Sequence, residues 1–319
     1  MSILEHSPER WNQARADLDS RDLRSGGRWS FWQHRKNDLI YHALRTALAI
    51  ADRTPSSLLL ECGRFAGDTA HLLAPGLRRR ARERARSCGA LTGNHRLADA
   101  DAVAHASFVR AGENLCLSLL LRRDDVSASR FIHVGRHAKR TLCEAVAEGH
   151  GVVFVSAHLG PFELIAARVA ELGFSPVVVV RESYDPRIDP LVDAHRIQRG
   201  IQVIHRGKPG AAARVLRALR RCQPVGFLVD LPSRVRSLRM RFLGAEVMIP
   251  LGPQRLAQLT GAPLLVGTLR RHPDLRGEPR FGLKISRVSP SSDLGLTHRV
   301  AQRLERDILA RPEDWLWMA

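Results

Sequence analysis

The chain has 319 residues, 44% of them hydrophobic and 26% charged, which is the composition of an ordinary folded protein and enough length for one large α/β domain with a helical appendage. Fifty Lys and Arg against 32 Asp and Glu give a formal net charge of +18, which calls for an acidic partner: an anionic membrane surface, an acidic carrier protein or nucleic acid. Aromatic residues at 5%, without basic and aromatic alternation, argue against nucleic acid; no apolar stretch reaches the roughly 18 to 20 residues of a bilayer span; and the scattered Cys62, Cys88, Cys116, Cys143 and Cys222 form no C-x-x-C pair and read as small core residues.

Residues 1–37 are polar and charged, with neither the apolar centre nor the cleavage site of a secretory signal, which predicts a cytoplasmic protein. Residues 38–50 and 57–73 are helical in composition and separated by Pro55. Their wide apolar faces are read as core packing, with an amphipathic anchor on a membrane surface as the alternative. The basic run from Arg78 to Arg86 is a solvated face or a contact for lipid head groups. Residues 97–121 and 128–148 are again helical, so 38–148 makes a helical N-terminal part. His133 and His137 stand four apart on the last of these helices, but no Glu follows His133 as a zinc motif requires, and no metal site is expected.

From residue 149 the rhythm changes. Strands at 151–157, 176–181, 201–205, 225–230, 263–270 and 281–287 alternate with helices at 161–172, 187–199, 209–221 and 253–260. The alternation predicts an α/β fold, a largely parallel sheet flanked by helices over 149–319, and with the helical part 38–319 is expected to be one domain. Ligands of such sheets bind beyond the carboxyl ends of the strands, where His158, Arg181 and Asp230 all fall.

The sharpest local pattern is His158-Leu159-Gly160-Pro161-Phe162-Glu163, directly behind the apolar run 151–157. Pro161 suits the first helical position, which makes Gly160 the expected N-cap and Glu163 a first-turn residue. The intervening turn lets the two side chains converge, so that the Glu163 carboxylate holds one imidazole nitrogen of His158 and leaves the other as a general base. A first-turn Glu is also what the helix dipole favours with no chemistry at all.

This H-x-x-x-x-E pattern behind a strand resembles the signature of the bacterial lipid A biosynthesis (lauroyl/myristoyl) acyltransferases, within the lysophospholipid acyltransferase superfamily. The likeness continues in order through Val177–Arg181 with Asp185-Pro186, His195-Arg196 and Gly200, then Phe227–Asp230. It resumes in Arg241–Gly244 with Ile249-Pro250, Gly252 and Leu259–Pro263, and ends in Pro312-Glu313-Asp314-Trp315-Leu316-Trp317. The resemblance implies a glycerolipid-acyltransferase-like fold and transfer of a fatty acyl chain from a thioester, on acyl carrier protein or coenzyme A, to a hydroxyl of a lipid or glycolipid acceptor. No further cofactor is expected, and the basic charge without a spanning segment leads to an expected peripheral position at the inner face of the cell membrane, although members of the family usually begin with an apolar spanning helix where residues 1–37 here are polar and charged. His158 is then the base and Glu163 fixes its tautomer. Arg181 clamps a substrate phosphate or carboxylate, supports the oxyanion, or pairs with Glu182 or Asp185. Arg196 binds a substrate phosphate or supports the fold, and Asp230 orients the acceptor or pairs with an Arg. Amides at the helix start beyond Gly160 are candidate oxyanion donors. Phe242, Leu243 and Met248–Pro250 line an acyl groove or simply pack in the core. Two rival readings stand beside this one: a basic, non-enzymatic protein that binds a lipid surface or nucleic acid, and a hydrolase that passes the same thioester to water.

Overall fold

The computed structural model describes residues 28–231, 235–272, 278–290 and 295–319; most of the polar segment 1–37 lies outside the described residues. Helix α1 (Phe31–Arg53) opens on a capping box, in which the Ser30 hydroxyl accepts from the Gln33 N–H and the Gln33 side chain accepts from the Ser30 N–H (2.8 Å). Thr54 and Pro55 end it, since the residue before a proline is pushed out of the helical region. Helix α2 (Ser56–Leu73) follows, then α3 (Pro75–Thr92) with Pro at its first position, and α4 (Ala100–Leu120), whose cap Asp99 accepts from the Ala102 N–H at 2.9 Å.

Helix α4 is the axis of the helical part, burying Val103, Phe108, Leu117 and Leu120. α2 crosses it at contact distance, because the crossing is built on Gly63, Gly67 and Gly112. A Cβ at Gly67 would collide with the Phe108 carbonyl, and one at Gly112 with the Gly63 carbonyl. Backbone atoms on both sides leave nothing flexible to move aside, so Gly67→Val is expected to destabilise the protein by at least about 1–3 kcal/mol, read as a lowered melting temperature.

The stretch 128–148 is not one helix. A 3₁₀ turn at Ala128–Arg130 leads into strand β1 (Ile132–Val134), and α5 (Arg136–Ala147) starts only after Gly135. Pairing of Ile132 and Val134 with a sheet edge outweighs the local helical pattern, a tertiary effect that composition does not carry. His133 is thus on a strand and His137 on a helix, and the pair does not share a helical face.

The rest is the expected mixed fold, with elements β2 (Val152–Ser156), α6 (Glu163–Glu171), β3 (Val177–Arg181), α7 (Ile188–Gln198), β4 (Gln202–Arg206), α8 (Ala211–Arg220), β5 (Pro224–Leu228), β6 (Ser237–Phe242), β7 (Ala245–Pro250), α9 (Gly252–Thr260), β8 (Leu264–Arg271), β9 (Phe281–Val288) and α10 (Leu296–Ala310). The seven-stranded sheet has the order β1-β9-β8-β2-β5-β3-β4, parallel at every pairing except β8 with β9. β6 and β7 form their own antiparallel hairpin.

β2 sits at the centre and is buried along its whole length, as its unbroken Val-Val-Phe-Val run requires of a parallel strand covered on both faces. Val153 and Val155 face one core, shared with Val215 and Leu219 of α8 and Val300 and Leu304 of α10. Val152 and Phe154 face the other, shared with Leu117 and Leu120 of α4 and Leu164 and Ile165 of α6. Of the five cysteines, Cys88 and Cys116 are buried as expected, while Cys62 and Cys143 are exposed.

Candidate active site

The site lies beyond the carboxyl end of β2. In the ladder Ser156 is the partner of Leu228, so the two strands end level. His158 and Asp230 each stand two residues further on, and the alternation of a strand brings them face to face. His158 Nδ1 is 2.8 Å from Asp230 Oδ1, and the His158 backbone N–H donates to Oδ2 at 2.9 Å. Trp315 completes the arrangement, its indole Nε1 donating to the same Oδ2 at 2.7 Å. An antiparallel bridge between Leu159 and Trp315 brings that indole there, and Ser107 Oγ donates to the Trp315 carbonyl at 2.8 Å.

The Asp230 side chain is fully buried and that of His158 is 21% exposed. An ionised carboxylate only accepts hydrogen bonds, so Nδ1 carries the hydrogen and Nε2 the lone pair. Nε2 has no hydrogen-bond partner among the described residues. A carboxylate fixing one imidazole nitrogen while the other stays open at a partly exposed position is the arrangement of a general base.

Glu163 does not orient His158. Its carboxylate is held by Arg196, with Nη2 to Oε1 at 2.7 Å and Nε to Oε2 at 3.1 Å. The reason is local: α6 starts at Glu163 itself, later than the sequence pattern indicates, with Phe162 as its N-cap. Gly160 is therefore not the cap. It lies two residues ahead of that cap in the left-handed region, at φ +62°, and makes the turn that carries the chain off β2. Phe162 and Leu164 donate their N–H groups to the Gly160 and Pro161 carbonyls at 2.9 Å each, so the turn does not offer a row of unpaired amides to an oxyanion.

Arg196 is buried, and its Nη1 also reaches Asp193 Oδ1 at 2.8 Å. Burial works against this cation, but Glu163 and Asp193 outweigh it and push its pKa up. A guanidinium bound on three nitrogens by two carboxylates supports the fold and positions Glu163; it is not open to a substrate phosphate. Arg181 pairs with neither Glu182 nor Asp185. It donates to the Tyr184 hydroxyl and lies over that ring at 4.8 Å, while Lys208 meets Glu182 (3.1 Å) and Arg187 meets Asp185 (2.7 Å).

Asp230, read as an acceptor-orienting group or the partner of an Arg, instead takes three donors from His158 and Trp315. Sequence reading missed its partnership with His158 and missed Trp315 as a site residue, although the equal distance of His158 and Asp230 past their strands and the closing Trp-Leu-Trp run both pointed there.

An apolar slot reaches the site at Phe162. It runs between α6, through Phe162, Ile165 and Val169, and the strands, through Phe154, Val178 and Gly226, from Pro176 and Pro224 at the strand starts to Ser156 and Glu163 at their ends. Phe162 joins the two, as a wall of the slot and as an edge-on partner of the His158 ring with centroids 4.8 Å apart. The hairpin residues expected near an acyl chain do not line this slot: Phe242, Leu243 and Ile249 are buried in the core and Met248 is half exposed.

Part of the basic run on α3 has structural partners. Arg84 donates to the Trp317 carbonyl at 3.2 Å, and Arg82 and Arg86 lie 3.4 Å and 3.9 Å from Asp101. Among the described residues no helix is long and apolar enough to cross a membrane. A family model for bacterial lipid A biosynthesis acyltransferases matches residues 45–319. No curated protein matches the chain.

Proposed function

The chain belongs to the bacterial lipid A biosynthesis acyltransferase family and is an acyltransferase working between an acyl donor and a lipid acceptor, and from that premise we propose that it moves a fatty acyl chain from the thioester of acyl carrier protein or coenzyme A to a hydroxyl of a lipid or glycolipid. The observation that carries this reading is the open Nε2 of His158, whose Nδ1 is held by Asp230 and whose ring packs edge-on against Phe162, a wall of the apolar slot. The acyl tail occupies the slot and leaves the thioester carbonyl beside His158. Nε2 takes the acceptor hydroxyl proton as the oxygen attacks that carbonyl. The tetrahedral intermediate then collapses, the C–S bond breaks, and the imidazolium returns its proton to the departing thiolate. Asp230 stabilises the imidazolium between these steps. The acceptor is itself the nucleophile, so no Ser or Cys of the chain is acylated.

Attachment to the inner face of the cell membrane is supported by the helical part. α1 exposes Trp32, Leu39 and Ile50 in one stripe and α2 exposes Leu58, Phe65 and Leu72 in another, with Trp32 at 77% and Phe65 at 73% accessible. Apolar stripes with flanking Arg35, Lys36 and Arg53 suit the interface of an anionic bilayer.

Lipid mass spectrometry of cells expressing the protein against the same host without it tests the reaction. A lipid species heavier by one acyl chain, present only with the protein, is the expected result and names acceptor and chain length together. Release of free fatty acid from acyl thioester at a rate indifferent to any lipid acceptor would replace transfer by hydrolysis.

A further inference from the structure

Helix α7 lays two carboxylates against the edge strand β4. Asp189 and Asp193 stand four residues apart on the helix and so share a face. His205 of β4 meets that face: its Nε2 is 2.6 Å from Asp193 Oδ2, and its Nδ1 is 4.0 Å from Asp189 Oδ2. The first contact is a hydrogen bond and the second is too long to be one. An ionised Asp193 only accepts, so Nε2 carries the hydrogen and Nδ1 the lone pair. Nδ1 is buried and has no hydrogen-bond partner among the described residues.

The surroundings of that lone pair are acidic. Glu182, directly behind β3, brings a further carboxylate, and one ligand atom each from Glu182, Asp189 and His205 lies within 4.8 Å of the other two. None of the three side chains is more than 20% exposed. Asp189 is fixed from behind, its Oδ1 accepting the Ser183 N–H at 2.9 Å. Lys208 places one cation at the rim, its Nζ 3.1 Å from Glu182 Oε1, on a half-exposed and flexible stem that can swing away. An imidazole tied through its far nitrogen to one carboxylate, with its near nitrogen open towards two more, is the arrangement by which proteins orient a histidine on a metal ion.

We propose that Glu182, Asp189 and His205 bind a divalent transition-metal ion, with Asp193 orienting the histidine. One imidazole nitrogen and two carboxylates suit Mn²⁺, Fe²⁺ or Zn²⁺ better than Mg²⁺ or Ca²⁺, which take oxygen ligands. Donor atoms bound at about 2.0–2.2 Å stand about 3–4 Å apart, so a small inward rotation of the side chains closes the set. The ion is structural. In the order β2-β5-β3-β4 its ligands lie two to three strands from the strand that His158 follows, about 10 to 14 Å at about 4.8 Å per strand, too far to touch the reacting carbonyl. It ties β3 and β4 to α7, the helix whose Arg196 holds Glu163. No spacing motif marks the ligands, because they come from a loop, a helix and a strand.

The test is calorimetric titration of the chelator-treated full chain with Mn²⁺, which has little affinity for the exposed thiols of Cys62 and Cys143, together with melting temperatures. The wild type is expected to bind one ion and to melt higher with it. His205→Gln and Asp189→Asn are each expected to weaken binding at least about tenfold, the second while keeping the Ser183 bond through its amide oxygen. Lys208→Ala removes the competing cation and is expected to tighten binding, while Glu148→Gln, a carboxylate paired with Arg287 outside the cluster, leaves it unchanged. A wild type that binds no Mn²⁺ at millimolar concentration overturns the site, and so do folded His205→Gln and Asp189→Asn proteins that bind it as the wild type does. Should His205→Gln not fold, Asp189→Asn decides alone. Binding is read without turnover, so the result stands apart from the acyl-transfer reading.

Discussion

Asp230→Asn is expected to lower acyl transfer about 10³–10⁴-fold with the fold intact, the scale on which misdirecting a catalytic imidazole acts. The geometry gives the reason. The His158 N–H and the Trp315 indole both donate to Oδ2, so in the variant the amide oxygen is drawn to that position. The amide NH₂ group then faces His158 Nδ1 and donates to it. That bond fixes the other tautomer, with the hydrogen on Nε2, and the base has no lone pair to offer. His158→Ala removes the base altogether and is expected to lose about 10²–10⁴-fold. Rates of transfer for the two variants, with melting temperatures to verify folding, measure the effect; near-normal transfer by either folded protein would remove His158 from the reaction. Glu163→Gln is expected to act through Arg196, where it leaves a buried cation short of a partner, and so to appear first in stability.

Glu113→Gln carries the largest expected loss of stability, about 3–5 kcal/mol, the range for breaking one side of a buried ion pair. Glu113 lies on α4 with a fully buried side chain. Arg271 of β8 is bonded to its Oε2, Arg64 of α2 lies 2.7 Å from its Oε1, and Arg110 lies 3.3 Å from its Oε2. Burial by itself raises the Glu113 pKa, but Arg271, Arg64 and Arg110 together outweigh it and hold the carboxyl below its ordinary value. Without that charge, Arg271 keeps only Asp314 at 3.7 Å, and its Nε and Nη1 already have no hydrogen-bond partner among the described residues.

The pH dependence follows from the sign of the shift. A depressed carboxyl pKa contributes stability that is complete above the unfolded value, about 4.3, and is lost as pH falls through the folded value. The gap in stability between wild type and Glu113→Gln is therefore expected to be constant near neutrality and to narrow in acid, as denaturant melts at a series of pH values would show. A gap that widened below pH 4 would mean that the ion pair does not dominate this cluster.

The place of His158 beyond a strand was legible in sequence because two local signals coincide there: an apolar run too short for a buried helix, and a proline just past it that marks a new helix. Its partner was not legible. Sequence spacing favoured Glu163, five residues away, over Asp230, seventy-two residues away. The choice turns on β5 lying beside β2 in the sheet although β3 and β4 come between them along the chain. Strand order is a global property, set by which apolar faces and crossovers can coexist, and no local window contains it. The same holds for β1, whose three residues are a strand only because β9 offers an edge, and for Trp315, which reaches the site through a single bridge to Leu159. Helix starts failed on a smaller scale: Pro161 permits a helix, but the turn through Gly160 delays it by two residues.

The three groups of the site come from positions separated by 72 and 85 residues along the chain. Contacts of such separation carry the greatest loop-closure cost and belong to the slow part of folding. A partly folded molecule with its helices and some strands in place holds no fraction of the site, since an imidazole without Asp230 is free to rotate and to exchange tautomers. Organisation of this site is thus a late event in the life of each molecule, complete only once β5 lies beside β2 and the closing segment has bridged to Leu159.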